Sequence, residues 1–179
     1  FRETIKFALI AVLVVFPIRL FIAQPFIVSG SSMEPTFHNG QYLIVDELTY
    51  KSINDPKRGD VIIFKYPYSE GTPKYYIKRI IGLPNETVVI EDTKVSIENT
   101  SNPKGQLLKE PYLGDPQKGN FRVPLNNHEY FVMGDNRAHS SDSRVWGPLE
   151  KKFIVGRPIL RLLPVADVGT FPGAFSENN

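Results

Sequence analysis

The stretch KYYIKRIIG, residues 74–82, decides the fold class: set between Pro73 and Leu83-Pro84, it follows the two-residue period of a strand. Six further segments read the same way: FIVSG (26–30), QYLIVDEL (41–48), DVIIFKY (60–66), ETVVIED (86–92), KVSIEN (94–99) and HEYFVMG (128–134). Each is bounded by Gly, Pro, Asn or Asp turn residues, and the stretches between them carry no convincing helical period. The expectation is a mainly β domain over 26–164, built as a compact β-barrel or a pair of packed sheets. Within it, residues 101–127 are polar and rich in Gly, Pro and Lys, and form an excursion or small subdomain. The tail 165–179 has no periodic signal, and its end is expected to be loose.

Ahead of the strands, residues 5–22 read IKFALIAVLVVFPIRLFI, apolar apart from Lys6 and Arg19. A helix from Phe7 to about Ala23 rises roughly 25 Å at ~1.5 Å per residue, a little short of a hydrocarbon core of about 30 Å unless Arg19 snorkels outward. One transmembrane anchor over 5–25, after a cytoplasmic stub over 1–4, is the expectation. A buried core helix and a cleaved secretory signal are the alternatives, the second lacking an Ala-x-Ala site. Arg2 and Lys6 precede or open the helix, so the positive-inside rule puts the N-terminus in the cytoplasm and the β domain outside, with a bias reduced by Glu3. Phe1 as first residue implies that a native start has been trimmed.

The chain of 179 residues has room for one domain with a real core. With 21 Lys+Arg against 19 Asp+Glu, the net charge of +2 suggests no nucleic-acid-binding field. Cysteine is absent, which excludes disulfides, zinc-thiolate sites and a cysteine nucleophile.

Three stretches could carry chemistry. Ser29-Gly30-Ser31-Ser32-Met33-Glu34-Pro35-Thr36 follows a strand, where a Gly-rich turn can expose a hydroxyl; as bare chemistry it is equally a set of turn and capping hydroxyls. A hydroxyl needs a base. His38 and His128 sit in loop contexts, whereas His139, beside Ser140 and near Asp135 and Asp142, allows a Ser-His-Asp triad on paper. Lysine is the other source. Strand alternation puts Lys78 on one face with Tyr76 and Ile80, and Arg79 on the other with Ile77 and Ile81, so one cation points into an apolar layer. A free lysine has a pKa of about 10.4, and holding it neutral near pH 7 requires about 4.6 kcal/mol from its surroundings. Burial can supply that and leave a competent general base; the alternative is a lysine that snorkels to the sheet edge. The third stretch, Gly134 to Gly147, is dense in matched donors and acceptors, with an Asp142 to Arg144 ion pair bracing an ordered loop.

Together SGSSMEPT (29–36), RGDVIIFKYP (58–67) through YYIKRIIGLP (75–84), and GDNRAHSSDSRVWG (134–147) resemble, in order and spacing, the motif set of the bacterial type I signal peptidases. Any one alone is weak; their joint occurrence is specific. The resemblance runs from the apolar segment to about Pro164. It implies a membrane-bound serine endopeptidase that removes signal peptides from exported preproteins after an Ala-x-Ala-like site, with Ser32 as nucleophile and Lys78 as general base. Ser140 matches the serine that bonds and orients that lysine, and Asp142 and Arg144 match ion-paired residues shaping the site, with Asp135 supporting it. His139 then loses its triad role. Phe26, Val28, Met33, Tyr76 and Ile77 fall where relatives line shallow apolar pockets for an extended substrate. Gly30 stands where some members place a serine that contributes to the oxyanion hole, which leaves the Ser32 amide as main donor. The excursion is the least transferable region.

The family further implies a single-pass protein of the bacterial plasma membrane with its catalytic domain outside. Its partners are preprotein signal peptides and membrane lipid, without nucleic acid, and it is expected to act as a monomer near the secretion translocon. No cofactor, metal or nucleotide is required. Two rivals share parts of the pattern: self-cleaving repressors, which carry a DNA-binding domain in place of the apolar segment, and a catalytically silent tethered β-domain that binds extended peptides.

Overall fold

A computed structural model describes residues 2–17, 23–114 and 118–175. Its first element is a helix, α1 (Arg2–Pro17), whose Ile5, Phe7, Leu9, Ile10 and Leu13 side chains are exposed. No helix among the described residues is long and apolar enough to cross a membrane. Residues 18–22 of the expected 5–25 anchor lie outside the described residues, and a helix running to Ala23 is corrected: Ala23–Ile27 form the first strand, β1. Pro25 is tolerated there because β1 is the edge of its sheet and pairs only with β2 (Tyr42–Asp46).

The rest is mainly β, in two antiparallel sheets. The larger has eight strands in the order β1, β2, β11 (Ile154–Leu163), β3 (Val61–Lys65), β4 (Tyr75–Gly82), β9 (Glu129–Met133) and β10 (Leu149–Glu150), with β12 (Gly169–Thr170) on β11. The smaller runs β7 (Gln106–Leu107), β6 (Lys94–Glu98), β5 (Thr87–Asp92), β8 (Gly119–Pro124). The excursion thus supplies β7 and β8, and the tail supplies β12, none of which the sequence pattern shows. Residues 176–179, where the tail's end was expected to be loose, lie outside the described residues.

Strand β11 is absent from the sequence reading because Gly156, Arg157, Pro158 and Arg161 interrupt its pattern. It is nevertheless interior. Its pairing with β3 runs from Ile154 to Gly156, so Pro158 meets β2 alone, and register shifts absorb the irregularity. Strand β9 and the second half of β4, from Lys78 on, bury both faces, which explains the apolar run YFVM and the burial of successive residues in β4. Ile80, Tyr130 and Val132 join Ile62 and Phe64 in one core, while Ile81, Phe131 and Met133 join Val88, Ile90 and Ile97 in another. A third core, Val28, Met33, Phe37, Leu43 and Val61, lies under the turn after β1.

Candidate active site

Ser32 sits in that turn, and its position is fixed from below. Met33 and Phe37 are 1% and 0% exposed, each burial contributing about 2–3 kcal/mol. Phe37 N–H donates to Met33 carbonyl at 2.9 Å, Glu34 N–H to Ser31 carbonyl at 3.1 Å, and Gly30 N–H to Asn39 Oδ1 at 3.0 Å. Gly30 has φ +94°, a left-handed conformation that glycine adopts without strain. Among the described residues, Ser32 N–H meets no hydrogen-bond acceptor.

Lys78 approaches from β4, where it pairs with Ile62 of β3. It is 4% exposed, and its Nζ lies 2.7 Å from Ser32 Oγ while donating to Ile77 carbonyl at 2.9 Å. Burial pushes the Lys78 amine down from its ordinary value to about 8; Asp142 and Asp135 pull it back up, and Arg144 pushes it further down. Tyr76 shares its face, with the ring centroid 5.6 Å from Nζ. Both cations of the strand are buried, which corrects the expectation of one. Arg79 is 1% exposed and holds Asp135 in a bidentate pair at 2.8 and 2.6 Å. Its Nη1 donates to the Gly59 and Gly173 carbonyls.

The third stretch closes the site. Asp142 takes Arg144 Nε and Nη2, both at 2.8 Å, and Gly134 N–H at 3.0 Å. It also caps α2 (Ser143–Trp146), accepting from Arg144 N–H. Asp135 accepts from Thr36 Oγ1 at 2.6 Å, so a single carboxylate ties β4 to the Ser32 turn. Asn136 N–H donates to Ser32 carbonyl and its side chain to Ser31 carbonyl, both at 3.1 Å. Gly134 is needed here because a Cβ would collide with the Ser32 carbonyl and with Ser140 Oγ.

A cleft of about 290 Å³ runs past the Ser32–Lys78 pair, lined by Phe26, Val28, Gly30, Tyr76 and Ile77. His139 and Ser141 border it as well, and Tyr75 packs edge-on against Phe26 at 5.4 Å. The family profile described as "Signal peptidase, peptidase S26" matches residues 1–163. The chain belongs to this signal peptidase family. It is similar to the "Probable signal peptidase I-1" of Synechocystis sp., 34% identical over 98% of this chain and 88% of that protein. It is likewise similar to "Signal peptidase I" of Bacillus licheniformis, 36% identical over 93% and 90%, and to "Signal peptidase I T" of Bacillus subtilis, 40% identical over 78% and 72%.

Against the signal peptidase expectations, the structure brings Ser32 and Lys78 together, pairs Asp142 with Arg144, and lines the cleft with all the named substrate residues except Met33. Met33 is a core residue, 1% exposed beneath the turn, because its side chain fills the third core. Ser140 Oγ is buried without a hydrogen-bond partner, and the expected bond to Lys78 is not formed, since Nζ bonds Ser32 Oγ and Ile77 carbonyl instead. A His139 triad is also disfavoured: Asp135 and Asp142 are engaged by Arg79 and Arg144, and the base in reach of Ser32 Oγ is Lys78. Sequence reasoning missed the Arg79–Asp135 link and Thr36. The available signal was Arg79 directly after Lys78, a second cation that a strand with two buried faces can hold only beside a carboxylate.

Proposed function

We propose that this chain is a membrane-bound signal peptidase I that cleaves preproteins after an Ala-x-Ala-like site through a Ser32–Lys78 dyad. The observation that carries the reading is the 2.7 Å contact between Ser32 Oγ and a buried lysine amine. With a pKa of about 8, roughly a tenth of that amine is neutral at pH 7. The neutral Nζ takes the Ser32 proton as Oγ attacks the scissile carbonyl, and the ammonium then protonates the departing amine. Water, deprotonated by the same Nζ, releases the acyl group. The Ser32 N–H, which meets no acceptor among the described residues, is the oxyanion donor, in keeping with a Gly30 conformation that disfavours a serine there. Asp142–Arg144 and Asp135 support the base and the turn, and Ser140 packs beside Gly134.

The shallow cleft beside β1 suits an extended peptide with small side chains, and its Phe26, Val28, Tyr76 and Ile77 walls supply apolar contact. The apolar residues of α1 and the stretch after it serve as the single-pass anchor in the bacterial plasma membrane, with the β domain outside and acting as a monomer near the translocon. The test incubates the detergent-solubilised full chain with a preprotein bearing an Ala-x-Ala site. Wild type is expected to release the mature protein, Ser32→Ala to give no product, and His139→Ala to keep most activity. Full turnover by Ser32→Ala, or loss of activity only in His139→Ala, would overturn the assignment.

A further inference from the structure

The 101–127 excursion and the C-terminal tail have no part in the mechanism so far, yet both end on the same buried pair. Tyr112 lays its ring over the Arg79 guanidinium, 3.9 Å from Cζ to the ring centroid. Its hydroxyl donates to Glu110 Oε1 at 3.2 Å, and Glu110 holds Arg137 through Nη1 and Nη2. The side chains of that second pair are 4% and 6% exposed. Arg137 Nε in turn donates to Gly134 carbonyl at 3.1 Å, and Gly114 N–H to Asp135 carbonyl at 3.3 Å. From the other side, Gly173 carbonyl accepts from Arg79 Nη1 at 2.7 Å, and Phe175 packs edge-on against Tyr112 at 5.3 Å.

These contacts close over the point where three segments meet. Arg79 neighbours Lys78 on β4, Thr36 lies in the Ser32 turn, and Asp135 follows Gly134 in the loop that bonds the Ser32 carbonyl. We propose that Tyr112 and Glu110, with Gly173 and Phe175, form a clamp that positions Ser32 and Lys78 by covering the Arg79–Asp135 pair and pinning Arg137. The inference rests on the signal peptidase reading for its consequence in turnover. The physics is the exclusion of water: in a dry setting the Arg79–Asp135 attraction is strong and its geometry fixed, whereas water entering beside Arg79 would loosen all three segments together. Tyr112 and Glu110 are therefore positioning residues, which touch neither substrate nor the reacting atoms.

Opening the clamp has a signed consequence at Lys78. Loosening the turn and the loop around Lys78 lets water reach the amine and relieves the burial that pushes it down, so the base moves toward the ordinary lysine value. The experiment compares the full chain in detergent with Tyr112→Phe, Tyr112→Ala and Glu110→Gln, reading kcat, KM and the pH inflection of kcat/KM on one preprotein. Tyr112→Phe keeps the ring and is expected to stay within about twofold of wild type. Tyr112→Ala and Glu110→Gln are expected to lower kcat about tenfold with KM within about twofold, and to raise the inflection. Wild-type kcat and inflection in both would overturn the clamp, as would a Tyr112→Phe variant as impaired as Tyr112→Ala. If Tyr112→Ala does not fold, Glu110→Gln decides alone. If wild type cleaves nothing, the proteolytic reading fails, and the clamp is judged by the NMR titration of Lys78 in the same variants.

Discussion

Lys78→Met is expected to lower kcat/KM between about a hundredfold and ten-thousandfold, the range for removing a positioned base, while making the protein more stable at pH 7. The first effect follows from the 2.7 Å contact with Ser32, since among the described residues Lys78 is the base that hydrogen-bonds Ser32 Oγ. The second follows from burial. An amine held at about 8 instead of its ordinary 10.5 is one whose charged form the fold disfavours. Between those two values the unfolded chain binds the proton and the folded chain does not, so stability rises with pH across that window. The penalty is therefore fully present below pH 8 and gone above about 10.5. Its upper limit is roughly 3 kcal/mol for a group 4% exposed. Methionine fills similar volume without the charge, so its advantage over wild type in urea unfolding should be largest at pH 6.5 and shrink toward pH 10. A gap that does not change with pH would contradict the buried-amine account.

Asp135→Ala is expected to be the most damaging substitution for stability. Arg79 and Asp135 are each 1% exposed at their side chains, and removal of the carboxylate leaves a buried guanidinium with two carbonyls and the Tyr112 ring as partners but no bonded counter-charge among the described residues. Breaking such a pair from one side costs about 3–5 kcal/mol, a large share of the ~5–15 kcal/mol that holds a domain together. For a chain of this size the melting temperature should fall by roughly 10 °C. The Thr36 hydroxyl loses its acceptor in the same step, so activity falls too. A double-mutant cycle with Arg79→Met should show coupling, with the second substitution far less harmful in the Asp135→Ala background. Additive losses would mean that the two side chains act independently, contrary to the geometry.

The strands with one or two wholly buried faces announced themselves in the sequence. VIIF and YFVM carry apolar runs that a buried strand needs, YYIKRIIG showed itself by its alternation, and the Ser32, Lys78 and Asp142–Arg144 positions were legible from three motifs taken jointly. Strand β11 was not, because Pro158 and Gly156 look like breakers unless one sees that the pairing with β3 has ended where the proline begins. The first strand was expected from Phe26 and starts earlier, at Ala23, because its opening residues continue an apolar run in the sequence. Met33 shows the limit of transfer by position: a residue beside Ser32 points down into a core that only tertiary packing defines. The Glu110 and Tyr112 contacts were invisible for the same reason, since they join residues 25 or more positions apart through side chains of ordinary composition.

The central claim is a lysine kept dry enough to act as a base near neutral pH. It is tested most directly by kcat/KM for one preprotein measured from pH 6 to 11 with the detergent-solubilised full chain. The account predicts a rise of about tenfold per pH unit that levels off above an inflection near 8. An inflection near 10, where an ordinary exposed lysine titrates, would contradict it.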